Sequence, residues 1–137
     1  MTTPDFSESF SDSQARLEPP VFEPRRFNEI TMGDANLQRM LVASFLKELP
    51  SMRAGLRAAC SVGGRDFSDA LHRLKSSSHF VAGLRVSDRV ARLEAGKPAA
   101  TEHERDGACA LVGVQLELLE QALRAFAQGL PGGAPVR

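Results

Sequence analysis

Three histidines stand in the chain, His72, His79 and His103. An imidazole is the side chain best suited to exchange a proton, or to act as a nitrogen nucleophile, near neutral pH. His72 and His79 share one helix-length segment, with Lys75 between them. On a wheel of about 100° per residue with Phe67 at zero, Leu71, Leu74, Ser78 and Val81 fall within about 40° of it. His72 falls at about 140°, Lys75 near 80°, His79 near 120° and Ser76 near 180°. The apolar set marks the buried side. His72 therefore points away from the core, with Lys75 and His79 further along the same exposed face. Ser76, Ser77 and Ser78 lie in mid-helix, where serine is a mediocre helix former. Small residues there leave a flat surface that another chain can approach closely.

An exposed histidine becomes useful when something fixes its tautomer. If the following helix returns antiparallel about a turn near Gly83, residues equidistant from that turn are level. His72 is then level with Glu94, both about 16 Å from the turn at 1.5 Å per residue. Glu94 flanks Leu93, an expected core residue, so it sits at the edge of the helix interface. Its carboxylate is placed to accept a hydrogen bond from His72 Nδ1–H, leaving Nε2 as the exposed nucleophile. Lys75, one turn on, offers positive charge to whatever Nε2 attacks.

Other chemistries lack their residues. There is no GxGxxG and no GxxxxGK[ST] phosphate cradle; Gly63-Gly64 is an isolated turn. No Glu-x-x-His pairs occur for a helical di-iron site, and His72 and His79 are not at the i, i+4 spacing of zinc helices. No nucleophile elbow is present. A self-contained enzyme is disfavoured, and no cofactor or metal is expected on this chain.

The elements that must position these residues are helical throughout. A short lead-in helix is expected over Phe27 to about Met32. Asp34 then caps a long helix carrying Leu37, Leu41, Phe45, Leu49, Met52, Leu56 and Cys60 at spacings of three and four. Pro50 is expected to kink it, because the stripe resumes in phase at Met52. Gly63-Gly64 ends it and Asp66 is expected to cap the third helix. A fourth carries Val86, Val90 and Leu93 and stops at Gly96-Lys97-Pro98. Thr101 with Glu104 fits a capping box for the last, which buries Ala108, Leu111, Val112, Leu116, Leu119, Leu123 and Phe126 and closes at Gly129. No period-two run suggests a strand. Short connections make neighbours antiparallel, so the expectation is all-α: an up-down-up-down four-helix bundle behind a short N-terminal helix.

The chain has 137 residues, which suits one domain. Residues 1–24 read as a flexible N-terminal tail, 25–128 as the bundle and 129–137 as a flexible C-terminal tail. Phe6, Phe10 and Phe22 stand out in the polar N-terminal stretch. They are either sparse hydrophobes on an arm or a short docking segment for a partner or for the protein's own surface. Seventeen basic residues balance seventeen acidic ones, which removes any bulk-charge argument for nucleic acid or an anionic membrane. No secretory signal or spanning segment is visible. Two cysteines, Cys60 and Cys109, make no disulfide framework, and whether they pair is left open. A reducing, cytoplasmic setting is the default expectation.

The segment ALHRLKSSSHFVAG, residues 70–83, resembles the signature of the histidine phosphotransfer (HPt) family, roughly H-x-L-K-G-[SA]-x-x-x-x-G. His72, Leu74, Lys75 and Ser77 match. The match runs without insertion to Leu93-Glu94, where the family often places Glu or Gln to hold the histidine. Upstream, FLKELPSMRAGL, residues 45–56, is similar to the family's second helix, proline included. The resemblance covers about residues 27–127. Departures are Ser76 and Ala82 where the family has glycine, with Gly83 displaced by one, and His79 at a position that is usually small.

The resemblance implies a monomeric, non-enzymatic intermediate of a multistep phosphorelay. His72 would accept a phosphoryl group from the aspartyl phosphate of a response-regulator receiver domain or a hybrid sensor histidine kinase, and pass it to another receiver. Mg²⁺ would belong to the receiver, which also supplies most of the transition-state charge stabilisation. Lys75 would stabilise phosphoryl charge and Glu94 would orient the ring. Arg73, Ser76, His79, Gly83 and Arg85 would form the docking rim, with His79 as a specificity element. No nucleic acid or membrane partner is implied. The alternative is a non-catalytic helical module that binds and inhibits a receiver or kinase.

Overall fold

A computed structural model describes residues 18–96 and 101–131. Five helices follow one another: α1 (Pro24–Thr31), α2 (Ala35–Val62), α3 (Gly64–Phe80), α4 (Leu84–Ala95) and α5 (Glu102–Gln128). Among the described residues there is no strand, and no helix is long and apolar enough to cross a membrane. α3 packs on α2 and α4, α5 packs on α2 and α4, and α1 rests on α2.

Local chemistry explains the boundaries. Pro24 opens α1 at a position where its missing N–H costs nothing, and the Glu23 carboxylate accepts from Arg25 N–H at 3.1 Å. Asp34 caps α2 by accepting from Leu37 N–H at 3.1 Å, as expected. α2 runs unbroken through Pro50. At its end Gly63 has φ +74°, and a Cβ there would lie 2.8 Å from the Arg105 guanidinium. Arg105 occupies that space because its Nε donates to Cys60 O at 2.7 Å, placing a cation at a helix C-terminus. The Thr101–Glu104 capping box of α5 forms as expected, with reciprocal bonds of 3.1 and 3.0 Å.

The expected stripes converge on one core. Leu49, Leu71, Leu74, Val86, Val90, Leu116, Leu119 and Leu123 are fully buried, with Phe27 of α1 closing one end. Each such side chain contributes about 1.5–3 kcal/mol of burial free energy.

Several expectations need correction. Leu37 and Leu111 are 37% and 58% exposed, not core. Gln38 takes the inward position beside Leu37, donating from Nε2 to Asn28 Oδ1 at 2.6 Å and Thr31 Oγ1 at 2.9 Å. Val112, the neighbour of Leu111, is the residue buried on α5. Asp66 does not cap α3. Two positive-φ glycines carry the chain into that helix three residues earlier, with Gly63 at the cap position and Asp66 in the first turn. Cys60 and Cys109, whose pairing was open, are joined as a disulfide between α2 and α5.

Part of the expected N-terminal tail also packs. Glu23 N–H donates to Ala82 O at 3.1 Å, and Arg85 N–H donates to Pro20 O at 3.0 Å. Phe22 stacks edge-on against Phe27 and Phe126, with ring centroids 5.7 and 5.1 Å apart. Residues 18–23 thus form a strap over α4. Residues 1–17, Lys97–Ala100 and 132–137 lie outside the described residues, and with them most of both expected tails and the Lys97-Pro98 stop of the fourth helix.

Candidate functional site

The α3–α4 hairpin sets the geometry of the site. Its turn bonds Gly83 N–H to Ser78 O at 2.8 Å and Ala82 N–H to His79 O at 3.0 Å. Ala82 adopts φ +55°, a left-handed conformation that costs a residue with a Cβ roughly 1–2 kcal/mol. This is one position where the resembled signature has glycine. Gly83 has a negative φ and is needed for a different reason. A Cβ on it would lie 2.5 Å from Leu119 Cδ2, so α5 approaches the turn only because that atom is missing. Higher in the hairpin, Ser87 Oγ–H donates to Lys75 O at 3.2 Å and ties α4 to α3.

This register brings His72, Lys75 and Glu94 together. The His72 side chain is 69% exposed, and its Nδ1 lies 3.7 Å from Glu94 Oε2. That separation is longer than the hydrogen bond expected from the level positions. The other carboxylate oxygen is engaged more tightly, with Lys75 Nζ at 2.6 Å from Glu94 Oε1. Glu94 is mostly buried at the α3–α4 seam, so its carboxylate is held beneath Lys75 and the His72 ring. Lys75 was expected to stand toward an incoming group and instead rests on Glu94. A neutral imidazole with Nδ1–H turned to Glu94 presents Nε2 outward, as a nucleophile needs.

The expected rim residues divide. Ser76 and His79 are exposed on α3, on the same side as His72. Arg73 Nη2 lies 3.9 Å from Glu48 Oε1, an exposed pair reaching α2. Gly83 is buried against Leu119, so it belongs to the packing of the turn and not to an exposed strip. Arg85 is engaged by the strap, with its Nε donating to Pro19 O at 2.9 Å. His103 lies on the first turn of α5, outside this cluster.

Two features escaped the sequence reading. One is a groove of about 500 Å³ between α3 and α4, lined by Lys75, Ser76, His79, Phe80, Ser87, Asp88 and Ala91. It begins beside the Lys75–Glu94 pair and runs toward the turn. Phe80 is 60% exposed there. The wheel carries the signal, since Phe80 falls about 220° from Phe67, on the polar side. The other is the ion pair of Glu18 with Arg89, whose Nε donates to Glu18 Oε2 at 2.9 Å. The Arg89 hydrogen bond holds the Glu18 carboxyl below its ordinary value, helped by the nearby charges of Arg89, Arg85 and Arg92 and opposed by desolvation. Acidic residues on both sides of a proline pair gave no spacing that would have announced it.

Comparison with known proteins finds no match: no known family, curated protein or solved structure is similar enough to this chain to be assigned to it.

Proposed function

We propose that α2–α5 form an up-down-up-down four-helix bundle of the histidine phosphotransfer type, and that His72 carries a phosphoryl group between receiver domains. The observation behind this reading is an exposed imidazole whose Nδ1 faces the seam carboxylate of Glu94 at 3.7 Å. The packing of each of these four helices against two of the others supports the bundle.

In this reading a receiver, or the receiver part of a hybrid sensor kinase, docks on the exposed face of α3 with its aspartyl phosphate and Mg²⁺. The lone pair of His72 Nε2 attacks phosphorus. The N–P bond forms as the P–O bond breaks, and the aspartate leaves with the electron pair. Nδ1 keeps its proton, so the ring gains positive charge as the bond forms. Glu94 faces that charge and stabilises it more in the transition state than before attack, which is the condition for accelerating the step. Lys75 alternates between Glu94 and a phosphoryl oxygen, where a charge-assisted hydrogen bond is worth roughly 1.5–3 kcal/mol. The chain supplies an oriented nucleophile and needs no nucleotide site of its own. The reverse step delivers the group to a second receiver. Ser76 and His79 lie on the docking face and set which receivers fit.

A second reading is favoured by one observation, the engagement of Lys75 with Glu94 at 2.6 Å. A lysine that stays on Glu94 leaves a surface that binds a receiver and blocks it without accepting phosphate. Incubation with a panel of phosphorylated receivers separates the two. Acid-labile phosphate on His72, lost in His72→Gln, supports transfer. Receiver binding with no labelled chain supports the inhibitor.

A further inference from the structure

The Cys60–Cys109 bond joins α2 and α5 at the end where they share the least packing. No residue of α5 before Val112 is buried. Residues 102–111 therefore place no fully buried side chain in the core. Besides the disulfide, this end is held through Arg105, whose Nε donates to Cys60 O at 2.7 Å. Gly107 and Gly113 stand in the same stretch. A Cβ on either would meet nothing within 4 Å, so neither glycine serves a close approach. Each instead lowers the helical preference of the segment, because glycine loses more conformational freedom on folding than any other residue. Farther along, Leu116, Leu119 and Leu123 fix α5 in the core. The helix is firmly packed from Val112 onward and latched at its start.

The sulfurs are reachable from outside. A groove of about 470 Å³ between α2 and α5 is lined by both cysteines, with the buried Leu56 and Leu116 beneath and Arg57 and Glu117 beside them. The two sulfurs differ in access. Cys60 is 2% exposed, whereas Cys109 is only partly buried. Gly113, one helical turn on from Cys109, also lines the groove, so no side chain screens Cys109 from that direction. Exchange at a disulfide needs a thiolate with access to one sulfur and a second sulfur that can leave.

We propose that the Cys60–Cys109 bond is a thiol–disulfide exchange site, attacked at Cys109 by a dithiol, and that its opening releases residues 102–111 from α2. One thiolate of the dithiol attacks Cys109 Sγ. An S–S bond forms to Cys109 as the bond to Cys60 breaks, and Cys60 leaves with the electron pair and takes up a proton. The second thiol of the dithiol, having lost its proton, attacks its own sulfur in the mixed disulfide and expels Cys109, which is protonated in turn. The cysteines gain two electrons and two protons, and the dithiol loses both to become a disulfide. Reduced Cys60 stays in the core as a small apolar side chain, so α2 keeps its packing while α5 loses its latch. The bond spans 49 residues and encloses α3 and α4, so closing it also restricts the unfolded chain. The site stands apart from His72 and does not rest on the phosphotransfer reading.

The test uses the full chain, with dithiothreitol as the dithiol and glutathione as a monothiol that stays attached. Reduction by dithiothreitol should proceed in the folded chain, at a rate unchanged by urea below the unfolding transition. A rate that climbs with urea as unfolding does would overturn the site. Peptide mass spectrometry should find glutathione on Cys109 about tenfold more than on Cys60. Equal or inverted labelling would overturn the assignment of the attacked sulfur. Hydrogen exchange reads the release. On reduction, amides of residues 106–111 should lose about tenfold more protection than those of residues 116–127. Equal loss along α5 would overturn the latch. The thermal midpoint should fall by about 8–16 °C, and a fall under about 2 °C would contradict the tie between α2 and α5. Cys109→Ser and Cys109→Ala should reproduce the exchange pattern of the reduced parent and be indifferent to dithiothreitol. A response to the reagent in either variant would place its action elsewhere and overturn the proposal.

Discussion

Gly83→Ala tests how the helix hairpin is built. The added Cβ would lie 2.5 Å from Leu119 Cδ2, 3.1 Å from Leu119 Cδ1 and 3.3 Å from Ser78 O. Carbon atoms prefer separations of about 3.5–4.0 Å, so the leucine must yield by about 1 Å. Leu119 is fully buried and cannot swing into solvent. Overpacking of this kind costs about 1–3 kcal/mol. Backbone conformation works in the opposite direction. Gly83 has φ −82°, which alanine adopts freely, and restricting the unfolded chain returns about 0.4–1 kcal/mol. The clash wins, with a net loss of about 1–2 kcal/mol. At roughly 4 °C per kcal/mol for a domain near this size, the midpoint should fall by about 4–8 °C. Thermal denaturation followed by far-ultraviolet circular dichroism reads the change. A second arm places the substitution in a Leu119→Ala background, where the offending methyl groups are gone. There Gly83→Ala should be neutral or stabilising, giving a coupling of about 1–3 kcal/mol. A rise in midpoint for the single variant, or additive losses in the double, would refute the close approach of α5 to the turn.

Glu18→Gln should weaken the strap above the ordinary carboxylate range. Because the native carboxyl is held below its usual value of 4.5, its contribution is fully present above that pH and is lost as pH falls through the lower native value. The stability difference between parent and variant should therefore shrink toward acid, as measured by denaturant titrations across pH; a difference independent of pH contradicts the assignment. Glu94→Ala should slow phosphoryl transfer about fivefold to tenfold, about 1–1.4 kcal/mol, while receiver affinity stays within about twofold. Rapid-quench kinetics beside a binding titration checks both, and an unchanged rate removes Glu94 from the mechanism.

The buried faces were legible because helical burial repeats with a fixed period. Leu71, Leu74 and Ser78 on α3, Val81 at its C-terminal cap, and Val86 and Val90 on α4 fall inward as the helical period places them. The same rule put His72 outside, and the antiparallel register about the turn put it level with Glu94. Periodicity gives faces, however, and not the last ångström. The preference of Glu94 for Lys75 over the imidazole depends on side-chain reach across the seam, which register alone does not set. Leu37 and Leu111 show a related limit. Each is apolar at a plausible spacing, yet a neighbour, Gln38 or Val112, occupies the inward angle. Gly83 was readable as a turn residue but not as one that must lack a Cβ, because the atom it avoids comes from α5, far away in sequence. The strap was missed for the opposite reason. It has no internal period, and its order comes from Phe22 and Glu18 finding partners on helices that the local sequence does not mention.

The most direct measurement is the site and lability of phosphate on the chain after exposure to phosphorylated receiver domains. The account predicts one phosphoryl group, acid-labile and mapped to His72, retained on the parent chain and on His79→Ala and absent from His72→Gln. Undiminished labelling of a folded His72→Gln chain, or no labelling of the parent by any receiver that binds it, would contradict the account.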